Sequence, residues 1–157
     1  MNRKGFTLIE LVMVIVLIAI IAVVVAPRLG NITSTKTAVF GDKLRADIRY
    51  AQSLAMTQNQ RFRVYFNSAP APNPGYAVTN NAAALVADPA GGGSLSVTLN
   101  AGDYAGITLA SPYTFIEFDS LGRPYDNVGT LLAAAVTLTI SPGAVILSIS
   151  SQTGAVN

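Results

Sequence analysis

The sequence has no cysteine and no histidine among its 157 residues, and only 11% of them are charged. The absence of cysteine excludes a disulfide framework and any thiolate metal site. The absence of histidine removes the commonest general base and metal ligand. An enzyme made from this chain would need serine–lysine or paired-carboxylate chemistry, and no spacing in the sequence suggests either. We therefore predict a protein that is not an enzyme and has no cofactor.

A long apolar run lies close to the amino end. From Phe6 to Ala26 the only ionisable residue is Glu10. A helix of this length extends about 31 Å, which is close to the thickness of the hydrocarbon core of a bilayer. Arg3 and Lys4 precede the run, and the positive-inside rule reads them as a cytoplasmic amino end. The pattern predicts a transmembrane helix over residues 6–27.

Two ordinary interpretations compete for this segment. A secretory signal peptide has a shorter apolar region that usually ends in a small-residue cleavage site, whereas this run ends in Ala26-Pro27-Arg28. A plain membrane anchor fits the length but leaves Glu10 unexplained, because a carboxylate in a lipid-facing helix is costly. A cation from another copy of the chain is the obvious partner for this acid.

Residues 5–11, Gly-Phe-Thr-Leu-Ile-Glu-Leu, resemble the processing motif of type IV pilins and type II secretion pseudopilins. The resemblance implies that a prepilin peptidase removes a leader, residues 1–5, by cutting after Gly5. It also implies N-methylation of the new amino terminus, Phe6. In this family the acid at the position of Glu10 pairs with the terminal amine of a neighbouring subunit, here Phe6. Two charges that are unfavourable alone in lipid stabilise each other when they are desolvated together.

Removal of the leader would also change the charge. The formal net charge is +2, and the loss of Arg3 and Lys4 would leave eight basic and eight acidic side chains. A chain without net charge has no global field that attracts nucleic acid or acidic substrates. We therefore expect no nucleic-acid partner.

The end of the apolar run contains two residues that disfavour a continuous helix, Pro27 and Gly30. Proline inside a helix removes a hydrogen bond and clashes with the preceding turn. In related filaments this segment can unwind, so Pro27 is a candidate site of extension. A simple kink at the membrane surface is the alternative.

Residues 28–58 are predicted to form an outer amphipathic helix. Its apolar residues recur at helical spacing on one face, namely Phe40, Leu44, Ile48, Ala51 and Ala55. Asp42 and Asp47 are assigned with the basic residues to the opposite side. We interpret that side as a solvated face with exchangeable ion pairs rather than a binding patch.

Residues 59–157 are predicted to form an antiparallel β domain. Period-two alternation in residues 61–67 directs Phe62, Val64 and Phe66 to a core and leaves the intervening Arg61, Arg63 and Tyr65 on a solvated outer face. Residues 80–93 are predicted to be a mobile loop, and residues 136–140 and 145–150 a terminal hairpin.

Metal binding has only weak support in the sequence. Asp119 and Asp126 are calcium candidates, since loops that carry carboxylates bind calcium in some relatives. Ca²⁺ prefers six to eight oxygen ligands, and no recognisable ligand series surrounds these two acids. The prediction is therefore that no metal is bound.

Three further patches resemble the H-type pseudopilins of type II secretion and the FimT-like minor pilins. They are residues 40–63, above all residues 44–55, then residues 118–124 and the closing Thr153-Gly154. DNA-binding FimT-like pilins carry arginines around this final glycine, whereas this chain ends Gly154-Ala155-Val156-Asn157. The difference argues against a role in DNA uptake.

Together these observations predict an α+β fold, in which a long amino-terminal transmembrane or filament-core helix packs on a small antiparallel β domain, the pilin lollipop. The expected function is a structural subunit of a type II secretion pseudopilus. The alternatives are a major or minor type IV pilus subunit and, from another class, a membrane-tethered periplasmic enzyme.

The resemblance also implies a set of partners and a location. The partners are further copies or other pseudopilins, the prepilin peptidase, an inner-membrane assembly platform and the inner membrane itself before assembly. The chain would cross that membrane once, with a periplasmic β domain, and then enter a periplasmic or cell-surface filament.

Overall fold

The structure is a computed structural model that describes residues 7–29 and 32–157, and the side chains of all of these except residues 25–29 and 32. The chain divides into two compact units whose boundary falls between Thr35 and Lys36. We call them unit 1 and unit 2. Unit 2 therefore contains most of the predicted outer helix together with the β domain.

Unit 1 consists mainly of helix α1, Leu8–Leu29. Thr7 lies directly before the helix, and the Glu10 N–H donates a hydrogen bond to Thr7 Oγ1 at 3.3 Å. A threonine followed three residues later by a glutamate is the sequence pattern of a helix amino terminus. This local chemistry explains why α1 begins where it does.

The predicted helix break is only partly covered by the described residues. Pro27 falls inside α1, which continues to Leu29, so the helix does not end at this proline. Gly30, the other predicted break, lies outside the described residues. The predicted span 6–27 also extends at both ends beyond the side chains that the structure describes.

In the part of the chain that the structure describes, no helix combines the length and the hydropathy needed to cross a membrane.

The second helix, α2, runs Ile32–Gln58. All five residues of its predicted apolar face are fully buried, which confirms the periodicity: Phe40, Leu44, Ile48, Ala51 and Ala55. Asn59 follows the last helical residue with a φ of 51°. This left-handed conformation is a common helix ending, and asparagine tolerates it better than most residues.

The β strands of unit 2 form two antiparallel sheets. The larger contains β1 (Phe62–Phe66), β2 (Gly75–Asn80), β3 (Ser96–Thr98), β5 (Phe115–Phe118) and β6 (Pro124–Tyr125), in the spatial order β3-β2-β1-β5-β6. The smaller contains β4 (Thr108–Ala110), β7 (Val136–Ser141) and β8 (Val145–Ile149), in the order β4-β7-β8. A short 3-10 helix, Gly102–Tyr104, lies between β3 and β4.

The strand predictions succeed where alternation is strong. Phe62, Val64 and Phe66 of β1 are buried, as the period-two pattern predicted. The terminal hairpin is also confirmed as β7 paired with β8, with Ile140 opposite Val145. The short strand β6 was not predicted.

Residues 80–93 are more ordered than the sequence predicted. Thr79 forms a β-bridge with Leu85, and Ala87 forms one with Ser94. The Val86 N–H also donates a hydrogen bond of 2.9 Å to the carbonyl oxygen of Val78 in β2. Backbone pairing with β2 therefore supplies order that the alanine- and glycine-rich composition did not indicate.

A single core joins α2 to both sheets. The buried cluster includes Phe40 and Leu44 from α2, Val64 and Ile116 from the larger sheet, and Leu138 from the smaller one. The ring centroids of Phe40 and Tyr76 lie 5.9 Å apart across the interface between helix and sheet. The predicted α+β class, with a helix packed on an antiparallel β domain, is confirmed.

This core generates a stability prediction. Leu44→Ala should lower the free energy of unfolding by about 2–5 kcal/mol, because the side chain is fully buried and its loss leaves a cavity. Urea unfolding followed by circular dichroism measures the change. Val39→Ala is the matched control, since Val39 lies on the same helix and is 53% exposed. Equal effects of the two substitutions would contradict the packing.

Candidate assembly surface

Helix α1 carries apolar side chains on every face. Fourteen large apolar residues between positions 8 and 24 are 43–81% exposed within this chain, and they are Leu8, Ile9, Leu11, Val12, Met13, Val14, Ile15, Val16, Leu17, Ile18, Ile20, Ile21, Val23 and Val24. We call this set the α1 surface. A helix that is apolar all round is stable only when lipid or protein covers it. The α1 surface is therefore the candidate functional site of the chain.

Glu10 lies in the first turn of α1 and is exposed. A carboxylate here interacts favourably with the positive end of the helix dipole. Within the described residues, the carboxylate of Glu10 forms neither an ion pair nor a hydrogen bond. Gly5 and Phe6, the predicted cleavage and methylation residues, lie outside the described residues. The structure therefore gives one half of the predicted charge pair and leaves the other half undescribed.

A buried acid in α2 corrects one expectation. Asp47 was assigned to the solvated side of the helix, but it is buried. Its Oδ2 accepts a hydrogen bond of 2.5 Å from the Tyr76 hydroxyl and lies 3.1 Å from Lys43 Nζ. Burial, together with the nearby charge and hydrogen bond of Asp47, raises the pKa of Tyr76 above its ordinary value. The carboxylate of Asp47 can be buried because Tyr76 and Lys43 both contact it.

The predicted solvated face of β1 is also partly wrong. Arg61 and Arg63 both bind the carboxylate of Glu117, which is itself buried. The register explains the arrangement, because Arg63 lies directly opposite Glu117 across the β1–β5 pair. Burial disfavours the charged form of Arg63 and tends to lower its pKa. The hydrogen bond and the charge of Glu117 outweigh burial, so the pKa of Arg63 is raised. Both guanidinium groups thus share a single acid.

The two calcium candidates each stabilise their own turn. The carboxylate of Asp119 accepts hydrogen bonds from the backbone N–H groups of Leu121 and Arg123, both at 2.9 Å, and from Arg123 Nε at 2.8 Å. Asp126 Oδ1 accepts from the backbone N–H groups of Val128 and Thr130. Among the described residues, no group of three or more acidic side chains is placed to hold a metal ion.

Gln52 joins two loops in a contact that sequence reasoning missed. Its Nε2 donates hydrogen bonds to the carbonyl oxygens of Gly122, at 2.8 Å, and Thr153, at 2.6 Å. A side chain at Gly154 would place its Cβ 2.4 Å from the Gly122 carbonyl oxygen, and φ is +67° there. Only glycine fits such a position. One signal for this contact was present in the sequence, namely Gly154 itself. The resemblance to H-type pseudopilins and FimT-like pilins included this glycine but did not explain why it is needed.

The chain is similar to known proteins in its amino-terminal sequence and in its fold. A family model described as the prokaryotic N-terminal methylation motif matches residues 1–26. The type IV narrow pilus major component PilA5 of Thermus thermophilus is 40% identical over 58 residues, which are 37% of this chain and 50% of PilA5. The chain therefore spans about half the length of this relative.

The crystal structure of the type IV minor pilin FimU from Pseudomonas aeruginosa superposes with a TM-score of 0.52 at 14% identity. The superposition covers 78% of this chain and 87% of FimU. This likeness concerns the fold alone. The amino-terminal motif and the fold are thus both similar to those of type IV pilins.

Asp119 generates a prediction about pH. Burial tends to raise the pKa of Asp119, but the hydrogen bonds from Arg123 and Leu121 outweigh burial and hold the pKa below its ordinary value of 3.8. A lowered folded-state pKa contributes stability that is present above the unfolded pKa and is lost as the pH falls through the folded pKa. Unfolding free energies of the wild type and Asp119→Asn should therefore differ at pH 7, and the difference should shrink as the pH falls below 3.8 toward the lower pKa of the folded state. A constant difference across that range would contradict this role.

Proposed function

We propose that this chain is a structural subunit of a pilin-like filament, in which copies bury their α1 surfaces against one another. The exposed apolar side chains of residues 8–24 carry this proposal. Burying one such side chain completely is worth about 1.5–3 kcal/mol, so α1 cannot remain in water. Lipid covers it before assembly and neighbouring helices cover it afterwards.

Glu10 gives this assembly its register. After cleavage behind Gly5 by the prepilin peptidase, the methylated amine of Phe6 is a cation at the start of α1. In the filament core this amine pairs with Glu10 of a neighbouring subunit. A pair of desolvated charges is more favourable than either charge alone, so only a subunit inserted at the matching height is accepted.

Two finer assignments follow from different observations. Residues 44–55 and 118–124 resemble H-type pseudopilins, which supports a type II secretion pseudopilus. The similarity to PilA5, a pilus component by its name, supports a type IV pilus subunit instead. In both cases the chain crosses the inner membrane once before assembly, with its amino end in the cytoplasm and unit 2 in the periplasm. Its partners are further copies or related subunits and an inner-membrane assembly platform.

Deletion of the gene separates the two assignments. If the chain belongs to a type II secretion pseudopilus, the deletion should abolish export of secreted proteins across the outer membrane and leave surface pili intact. If it belongs to a type IV pilus, surface filaments in electron micrographs should be lost and secretion retained. Unchanged secretion and unchanged filaments would refute both.

Glu10 supplies the sharpest test of the mechanism. Glu10→Gln should give a stable, membrane-inserted and processed monomer, because a neutral helix suits lipid better. Assembly should fail, since an unpaired Phe6 amine in the filament core costs on the order of 3–5 kcal/mol per subunit. Filament yield, with immunoblots of the membrane fraction, measures both outcomes.

Two controls accompany this substitution. Glu10→Asp keeps the charge and should assemble better than Glu10→Gln. Co-expression of Glu10→Gln with the wild type should give fewer filaments or filaments poor in the variant, because the acid serves a neighbour. Abundant filaments made from Glu10→Gln alone would remove charge pairing from the proposal.

A further inference from the structure

Two of the connections between the sheets of unit 2 line a common cleft. Residues 111–114 lead from β4 in the smaller sheet to β5 in the larger one, and residues 126–135 lead from β6 back to β7. The cleft has a volume of about 460 Å³ and is lined by Pro112, Tyr113 and residues 133–137. We call it the β7 cleft, because the first two residues of β7 are among those that line it.

The pairing between β4 and β7 stops at the β7 cleft. The last pair of this ladder is Ala110 with Thr139. Two residues further along each strand, the same register would place Pro112 opposite Thr137. Proline has no backbone N–H and cannot donate a hydrogen bond to a neighbouring strand. Strand β7 nevertheless begins at Val136, so its first residues extend beyond the end of β4.

The backbone of Thr137 faces the open side of β7. Ser148 of β8 lies opposite Thr137, and its N–H and C=O exchange hydrogen bonds of 2.9 Å with Asn157 on the other side of β8. Opposite residues in an antiparallel ladder alternate between bonded and non-bonded pairs, so Thr137 and Ser148 form a non-bonded pair. The N–H and C=O of Thr137 therefore point away from β8, and neither has a hydrogen-bond partner among the described residues.

The walls of the β7 cleft are small and uncharged. Ala133, Ala134 and Ala135 are exposed and carry only methyl groups, and Tyr113 contributes a partly exposed aromatic ring. Native proteins commonly protect an unpaired strand edge with charged side chains, but none of the residues that line this cleft is charged. An unpaired backbone donor and acceptor beside uncharged walls match the backbone of an added strand and do not match a charged ligand.

From these observations we infer that the β7 cleft binds an extended, uncharged peptide segment of another protein, which adds to β7 beyond the end of β4. The peptide exchanges backbone hydrogen bonds with Thr137. Its residue opposite Thr137 directs its side chain to the same exposed face, and the two neighbouring side chains lie on the face of Val136, which is buried. We therefore expect apolar residues at those two positions. The site belongs to unit 2 and goes beyond the proposed filament.

A pair of synthetic peptides tests the backbone contact. The probe is a fluorescent peptide with blocked ends and alternating threonine and valine, added to the full chain in detergent micelles, with empty micelles as background. Its anisotropy should rise to saturation, and hydrogen exchange of the Thr137 amide should slow when it is bound. The same peptide with every backbone nitrogen methylated keeps its side chains but has no donors, and should bind about tenfold more weakly. Equal binding of the two peptides would overturn the inference.

A proline substitution tests the orientation of Thr137. Thr137→Pro removes the N–H that points to the cleft, so it should weaken binding of the probe about tenfold and leave the melting temperature close to that of the wild type. Thr139→Pro is the matched control. Thr139 lies opposite Ala110 in the ladder, so this substitution removes a hydrogen bond of the sheet and should lower the melting temperature. Unchanged probe binding by a folded Thr137→Pro variant would contradict the proposed pairing.

A second variant decides the question if Thr137→Pro does not fold. Ala134→Trp fills the cleft with a large side chain at an exposed position and should abolish probe binding, whereas Ala46→Trp, on the exposed side of α2, should not change it. Equal effects of these two substitutions would overturn the inference. So would self-association of the chain that Ala134→Trp abolishes and the probe does not compete with, because the cleft would then hold a second copy. Probe binding is measured on unassembled chains, so its absence would leave the proposed filament intact.

Discussion

The burial of one apolar face of α2 is the constraint on which unit 2 depends. Phe40, Leu44 and Ile48 lie at helical spacing and belong to one buried cluster that also contains residues of both sheets. Unit 2 contains no other α-helix that could cover the apolar face of either sheet. Loss of the α2 face would therefore expose both sheets at once, whereas loss of a single strand contact would not.

The hydrophobic effect acts differently on α1 and α2. In α2 the apolar residues occupy one face, and the chain covers that face itself. In α1 they occupy every face, and within residues 8–24 none of them is buried by this chain. The hydrophobic effect thus completes the fold of unit 2 but leaves α1 dependent on other molecules. The proposed filament follows from this contrast.

Charges in unit 2 serve mainly to fix its internal geometry. Asp47 ties α2 to β2 through Tyr76, Glu117 holds two arginines across the β1–β5 pair, and Asp119 orders the turn that carries Leu121. In a chain with so few charged residues, these internal contacts leave little charge for a ligand site.

Elements whose signal is local can be predicted from the sequence alone. The apolar run with Glu10, the helical spacing from Phe40 to Ala55 and the alternation in β1 are patterns that a chain displays before it folds, and all of them correspond to described structure. The positions of the polar side chains, in contrast, depend on tertiary packing. Asp47 was expected in solvent but is buried. The helical pattern did not show this, because its partner Tyr76 lies 29 positions away. Glu117 binds arginines more than 50 positions away, and Gly154 is required by a carbonyl of Gly122. Periodicity states which face of an element is apolar, but strand register and loop packing determine which polar groups meet, since neither is encoded in any single stretch of the chain.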